Sequence, residues 1–303
     1  MRRRSSLLLV GGVAALTVAL LGASSTQLRA GLQASPTQQV SLLAARPKAP
    51  PQAPPTPIGP VGLDVMADRA VLKGQESGAD ISIAVLDRQT GQLVTRGDAS
   101  PFPTASVSKL FIADDLLMEL AQTNGALSVE DSRRLDTMLR ASDDFAAGEF
   151  WERGGGNAVI TRITERYGLR ETTPPYDGNW WNTMSTTADL VRYYDKLIDG
   201  SGGLPAQQAN TILSDLAASA PVGIDGYPQR FGIPDGLFAE PVAVKQGWMC
   251  CWNGPNQVHL STGVAGTDRR FAIAIASMQP VDEATARDTI TEVLKTMFPG
   301  GRI

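Results

Sequence analysis

The chain has 303 residues, of which 43% are hydrophobic and 19% charged, and its formal net charge is −4 at neutral pH. This length is enough for one substantial hydrophobic core. All 31 acidic residues lie after position 60, together with 21 of the 27 basic ones, so negative charge dominates that part. Since no basic patch occurs at motif spacing, the composition argues against a nucleic-acid partner.

The N-terminus has the pattern of an export signal. Three arginines at positions 2–4 precede an apolar stretch of 17 residues, from Leu7 to Ala23, which is typical of a secretory signal peptide. Its length is also at the short limit for a membrane span, so a cleaved signal and an uncleaved anchor both remain open. We predict that residues 1–30 are this signal or anchor and the sole membrane contact.

Residues 31–60 contain eight prolines and no acidic residue, a composition that cannot build a core. We predict an extended tether with a reach of at most roughly 90 Å, at about 3.1 Å per residue. A disordered leader without a role is the alternative.

Residues 61–303 are predicted to form the folded domain. The protein is predicted to be exported, so that this domain is extracellular, in the cell wall or tethered to the membrane.

The folded part begins with strand signals. Residues 79–86 read as a buried strand, residues 87–91 as a turn ending in Gly91, and residues 92–97 as a second strand. The sequence Phe102-Pro103-Thr104-Ala105 then leads into Ser106-Val107-Ser108-Lys109 and an apolar helix over residues 110–117.

Ser106 and Lys109 carry the strongest chemical signal. Three residues apart on a helix, their side chains share one face, where the amine can take the hydroxyl proton and activate the serine as a nucleophile. The bare tetrapeptide is common, and its plain alternative is a polar serine and a solvated lysine at a helix start.

The remaining segments follow in a recognisable order. Ser142-Asp143-Asp144 precedes a helix, an amphipathic run ends at Gly168, and residues 185–190 form a capped helix start. Near the C-terminus, Lys245-Gln246-Gly247 lies on a predicted strand, which is followed by a last strand over residues 271–276 and a closing helix over residues 283–298.

From residue 62 to about residue 298, this order resembles the penicillin-recognising serine enzymes, most closely the class A β-lactamases. Members share a strand, a T-G turn, a strand and F-P-x-x-S-x-x-K, followed by S-D-N and K-T-G motifs. The resemblance implies the α/β fold of the β-lactamase/transpeptidase type. This fold has an antiparallel sheet flanked by helices plus an all-helical lobe, here expected between Leu110 and Asp199.

The resemblance also implies roles for individual residues. Ser106 would be the acylated nucleophile, Lys109 its general base, and Ser142 a proton relay to the leaving nitrogen. The backbone N–H groups of Ser106 and Trp248 would form the oxyanion hole. The expected substrate-binding positions are Asp144, Lys245, Gln246 and Gly247.

Three departures from the family pattern affect the expected activity. Asp144 replaces an asparagine that can also donate a hydrogen bond, and Gln246 replaces a small hydroxyl residue. The segment from Gly168 to Ser185 has only Glu171, too early to match the family's deacylation base. We therefore expect acylation with slow deacylation.

The expected activity is that of an exported serine hydrolase forming an acyl-enzyme on a peptidoglycan-type peptide or a β-lactam, without a cofactor. Two alternatives stay open. One is a true class A-like β-lactamase that uses another deacylation base. The other is a cell-wall-binding protein that has lost catalysis.

The cysteines and the single histidine are the chain's candidates for metal ligands or reactive groups. Cys250 and Cys251 are adjacent, and in an exported protein we favour a disulfide between them over buried thiols or an intermolecular bridge. No cysteine lies near the N-terminus for lipid attachment. With one histidine, His259, on a predicted strand, we expect no metal site.

Overall fold

The computed structural model describes residues 62–303. The predicted signal or anchor and the proline-rich linker lie outside the described residues, as does Val61. Within residues 62–303, no helix is both long and apolar enough to cross a bilayer.

The centre of the fold is a five-stranded antiparallel sheet. Its members are β1 (Asp80–Asp87), β2 (Gln92–Gly97), β5 (Val242–Trp252), β6 (Asn256–Ala265) and β7 (Phe271–Gln279), in the spatial order β2-β1-β7-β6-β5. The short strands β3 (Phe102–Pro103) and β4 (Met184–Ser185) pair separately. The sheet confirms the predicted α/β class, and the two predicted N-terminal strands are confirmed as β1 and β2.

The two faces of the sheet differ in side-chain size. Ile81, Ile83 and Val85 point to one face, where they share a buried cluster with α1 (Leu63–Glu76) and α9 (Glu283–Met297). The small residues Ala84 on β1 and Ala274 on β7 point to the opposite face and belong to the buried cluster there. Because successive strand residues point to opposite faces, one alternating sequence supports both cores.

Most of the helices form a second lobe. They are α2 (Lys109–Thr123), α3 (Val129–Arg140), α4 (Asp144–Arg153), α5 (Asn157–Tyr167), α6 (Thr187–Asp199) and α7 (Ala206–Ala217), while the short α8 (Ile233–Gly236) lies near the sheet. Side-chain oxygens of Ser128, Asp143 and Thr186 cap the starts of α3, α4 and α6. The lobe agrees with the prediction, and α7 extends it past Asp199.

A buried acid holds this lobe together. The Asp114 side chain on α2 has no exposed surface and pairs with Arg166 at 2.5 Å. It also accepts hydrogen bonds from the hydroxyls of Tyr167 and Tyr193 on α5 and α6. The buried carboxylate of Asp114 thus has partners on two other helices. Because a buried charge needs such partners, these contacts fix how α2, α5 and α6 pack.

Candidate active site

Ser106 lies in a 3₁₀ helix, Ala105–Ser108, directly before α2. The sequence predicts a helix start here, and the structure shows the tighter form. The backbone N–H of Val107 donates to the Thr104 carbonyl at 2.9 Å, and the Ser108 hydroxyl donates to the Ala105 carbonyl at 2.7 Å. Ala105 has a φ of +46°, a strained backbone of the kind that concentrates at functional sites.

Lys109 brings the predicted catalytic residues together. Its Nζ donates to Ser106 Oγ at 2.7 Å, to Ser142 Oγ at 3.1 Å and to the Ser142 carbonyl at 3.0 Å. The same amine pairs with Asp144 Oδ1 at 2.5 Å. The lysine side chain is fully buried, so its amine is directed at these partners and away from solvent.

Ser142 lies between two amines. On its other side, Lys245 Nζ donates to Ser142 Oγ at 2.9 Å and to the Gln246 carbonyl at 3.0 Å. Ser142 itself has a φ of +61°, a left-handed conformation uncommon for residues other than glycine. Ser106, Lys109, Ser142 and Lys245 therefore form one connected cluster.

Burial shapes the charges of this cluster. Burial lowers the pKa of Lys109, while the carboxylate of Asp144 acts in the opposite direction. Burial together with the neighbouring charge of Lys109 holds the pKa of Lys245 well below its ordinary value. The two close amines are therefore hard to charge at once, and both give up a proton more readily than an exposed lysine.

Gly247 allows β5 to pass close to the Ser106 segment. A Cβ atom at Gly247 would lie 2.7 Å from the Thr104 carbonyl oxygen and 3.1 Å from Val107 Cγ2. The next residue, Trp248, stacks on Tyr227 with ring centroids 4.5 Å apart. The two segments expected to supply the oxyanion hole are thus neighbours at this point.

Gln246 is directed away from the lysine cluster. Its side chain is buried, and its amide nitrogen donates to the backbone carbonyls of Gln229, at 3.1 Å, and Phe231, at 2.5 Å. The amide therefore fastens β5 to the segment 229–231.

Comparison with known proteins shows close relatives and distant structural neighbours. The chain is 58% identical over 268 residues to proteins named "Putative lipoprotein LppW" from Mycobacterium tuberculosis and Mycobacterium bovis, covering 88% of this chain and 85% of each relative. This chain belongs to the LppW family. No family model matches it.

The fold of this LppW-family chain is similar to the folds of solved β-lactamases. The TLA-3 extended-spectrum β-lactamase superposes with a TM-score of 0.65 at 14% identity, over 78% of this chain and 98% of that one. A β-lactamase from Chitinophaga pinensis gives 0.63 at 14% identity, over 77% and 98% of the two chains. A structure named PBP-A gives 0.60 at 16% identity, over 76% and 94%. At these identities the likeness establishes the fold.

Trp180 packs directly against the lysine of this cluster. Its ring centroid lies 4.6 Å from Lys109 Nζ, and its side chain is buried. The segment carrying it is tied to the Ser106 segment, because Thr104 donates to the Thr183 carbonyl through both its backbone N–H and its hydroxyl. Glu171 of the same segment is exposed. An aromatic ring thus covers the buried Lys109 amine in this LppW-family protein.

Cys250 and Cys251 are joined to each other near the end of β5, where both side chains are exposed. Their pairing in the exported protein stays a prediction.

His259 is buried on β6, and its Nε2 lies 2.6 Å from the Tyr227 hydroxyl. Burial and the nearby Arg287 lower the pKa of His259 to about 3, so its imidazole is neutral. Among residues 62–303, no group of three or more His, Cys, Asp or Glu side chains is arranged to hold a metal ion.

Proposed function

We propose that this protein is an exported serine hydrolase that forms an acyl-enzyme on a peptidoglycan-type peptide or a β-lactam and releases it slowly. The observation that carries the proposal is the 2.7 Å hydrogen bond between Lys109 Nζ and Ser106 Oγ within the cluster that also holds Ser142 and Lys245. A nucleophile and its base at this separation meet the geometric requirement for nucleophilic catalysis.

In the proposed reaction, neutral Lys109 takes the proton of Ser106 as Oγ attacks the substrate carbonyl. The negative charge on the tetrahedral intermediate is stabilised by the backbone N–H groups of Ser106 and Trp248. Ser142 then passes a proton to the leaving nitrogen and regains one from a neighbouring amine. Its hydroxyl is suited to this relay because Lys109 and Lys245 both contact it, at 3.1 and 2.9 Å.

Slow deacylation is supported by what lies next to Lys109 on the segment before α6. There, the Trp180 ring lies against the lysine and supplies no base for a water molecule. General base catalysis typically contributes about 10²–10⁴-fold. Its loss would lengthen the life of the acyl-enzyme by about that factor.

Export is supported by the arginine-led apolar N-terminal stretch and by the lipoprotein name of the relatives. This chain has cysteines only at positions 250 and 251, far from its N-terminus. In the proposal, the apolar segment serves as the tether and the proline-rich residues 31–60 as a spacer.

A second candidate is a cell-wall-binding protein without catalysis. The Lys109–Asp144 ion pair favours it, because a carboxylate 2.5 Å from the amine stabilises the charged form, which cannot act as a base. Labelling with a penicillin distinguishes this candidate, and a true β-lactamase, from an enzyme with a slowly released acyl group.

The test is to incubate the purified protein with a fluorescent penicillin and follow its intact mass. We expect one adduct on the peptide that contains Ser106, decaying over minutes to hours. The adduct should be absent in Ser106→Ala and present in the matched control Ser108→Ala, since the Ser108 hydroxyl bonds to the Ala105 carbonyl. Absence of any adduct at high concentration would favour the binding protein. Steady hydrolysis near 100 s⁻¹, in the range of ordinary enzymes, would identify a β-lactamase.

A further inference from the structure

Asp144 differs from the rest of the site in its exposure. It is the first residue of α4, its side chain is 73% exposed, and its carboxylate pairs with the fully buried Lys109 at 2.5 Å. The pair therefore has one side toward solvent, from which an incoming ligand can reach the carboxylate.

The charges that face Lys109 come from three parts of the chain. Asp143 and Asp144 lie at the start of α4, Asp225 lies in the loop that follows α7, and the charge of Lys245 comes from β5. The three carboxylates raise the pKa of Lys109, against the effect of burial. Asp144 is the nearest of the three, since it alone is hydrogen-bonded to the lysine amine.

This arrangement has a cost for catalysis. Ser106 loses its proton only to a neutral Lys109, whereas the ion pair with Asp144 stabilises the protonated amine. A substrate that neutralises Asp144 would remove this stabilisation and release the base. A substrate with a carboxylate at the same place would be repelled by Asp144 and leave the pair intact.

We propose that Asp144 selects acyl donors that carry a primary ammonium group on the acylamino side chain next to the reacting amide or lactam, an inference that rests on the proposed function. The ammonium group donates to the Asp144 carboxylate in place of Lys109. Lys109 then releases its proton through the solvent-facing Asp144 side of the pair, and as a neutral amine it takes the Ser106 proton while Oγ bonds to the acyl carbon and the carbonyl electron pair moves onto oxygen. The C–N bond of the donor then breaks, and Ser142 passes a proton to the leaving nitrogen. The substrate class is thus an amino-substituted amide or lactam.

The test compares two penicillins that differ by one group: aminobenzylpenicillin, with an ammonium beside the side-chain carbonyl, and benzylpenicillin without it. Acylation rates are measured by intact mass for the unmodified protein and for Asp144→Asn. Asp68→Asn on α1, an exposed acid paired with Arg96, is the matched control. We expect an aminobenzyl preference of about tenfold, the size of one charge-assisted hydrogen bond. Asp144→Asn should abolish the preference, and Asp68→Asn should retain it.

A second measurement separates this inference from the proposed function. Equilibrium binding of the same two penicillins is measured on Ser106→Ala, with and without Asp144→Asn, so that no acylation is needed. A preference for the aminobenzyl compound that depends on Asp144 supports the inference even if the unmodified protein is never acylated. Equal binding, absent binding, or a preference that survives Asp144→Asn overturns it.

Discussion

At the scale of single residues, the site is defined by two buried amines that share one hydroxyl. An amine without water loses much of the solvation that stabilises its charge, so it needs partners or becomes neutral. Lys109 has Asp144 as its counter-ion, whereas Lys245 bonds to Ser142 and to the Gln246 carbonyl. The two lysines are therefore not equivalent, since the structure bonds a carboxylate to the amine of Lys109 and neutral groups to that of Lys245.

For Lys109→Ala, we predict that penicillin acylation falls by about 10²–10⁴-fold, because the general base is lost. In the unmodified protein the rate should rise with pH as Lys109 loses its proton. It should level off below pH 10.5, since burial lowers the pKa of Lys109 from that value. The mutant should lack this rise. Lys295→Ala, an exposed lysine paired with Glu292, serves as control, and far-ultraviolet circular dichroism verifies folding.

A rate for Lys109→Ala within a few fold of the unmodified protein would show that another group accepts the Ser106 proton. The same conclusion would follow if the mutant kept the original pH dependence.

The sequence predicts part of this site and leaves the rest open for a physical reason. The Ser106–Lys109 contact follows from helical spacing, which is a local property of the chain. The pairing of Lys109 with Asp144 and the position of Trp180 against Lys109 are contacts between segments that lie 35 and 71 residues apart. No periodicity in a single sequence specifies such contacts. Conversely, the order of known motifs did point to Ser142 and Lys245.

At the scale of elements, the site depends on β5 lying directly against the 3₁₀ helix that carries Ser106. The close contact is at Gly247, where the absence of a side chain lets the two backbones approach. Alternation of apolar residues predicted the strands well. The same alternation did not indicate the 3₁₀ helix at residues 105–108. This helix includes Ala105 in a strained backbone conformation, which apolar alternation does not predict.

For Gly247→Ala, we predict a loss of about 1–3 kcal/mol in the free energy of unfolding and a slower acylation of Ser106. The added methyl group would lie 2.7 Å from the Thr104 carbonyl oxygen, so the two backbones must separate. The matched control is Gly148→Ala in the interior of α4, where a Cβ meets nothing within 4 Å. This control should stabilise by about 0.5–1 kcal/mol, as expected for alanine in a helix. Urea denaturation and adduct formation measure both effects, and equal behaviour of the two mutants would contradict the close contact.

At the scale of the whole molecule, the site lies where the helical lobe meets the sheet. Ser106 and Lys109 come from the entry to α2, Ser142 from the connection of α3 to α4, and Lys245 from β5. The hydrogen bonds among them therefore form only when both parts are in place. The buried Asp114 contacts in the helical lobe fix the position of α2, and with it Lys109.

For Asp114→Ala, we predict a loss of about 3–5 kcal/mol in the free energy of unfolding, because Arg166 loses the partner of its largely buried charge. Asp68→Ala breaks an exposed pair with Arg96 and should cost no more than about 1 kcal/mol. Urea denaturation of both variants measures the difference. Similar losses in the two variants would show that the Asp114 network does not hold the lobe.

The strand order has a consequence for how the chain reaches its folded state. β1, near the start of the described residues, lies between β2 and β7, and Ile83 pairs with Ile275 across almost the whole domain. Such distant pairings make a fold slow to form. The middle of the sheet stays open until residues 271–279 are available, so a chain emerging N-terminus first cannot close its sheet until almost all of it has emerged. This delay is compatible with the proposed export, in which the chain crosses a membrane in extended form before it folds.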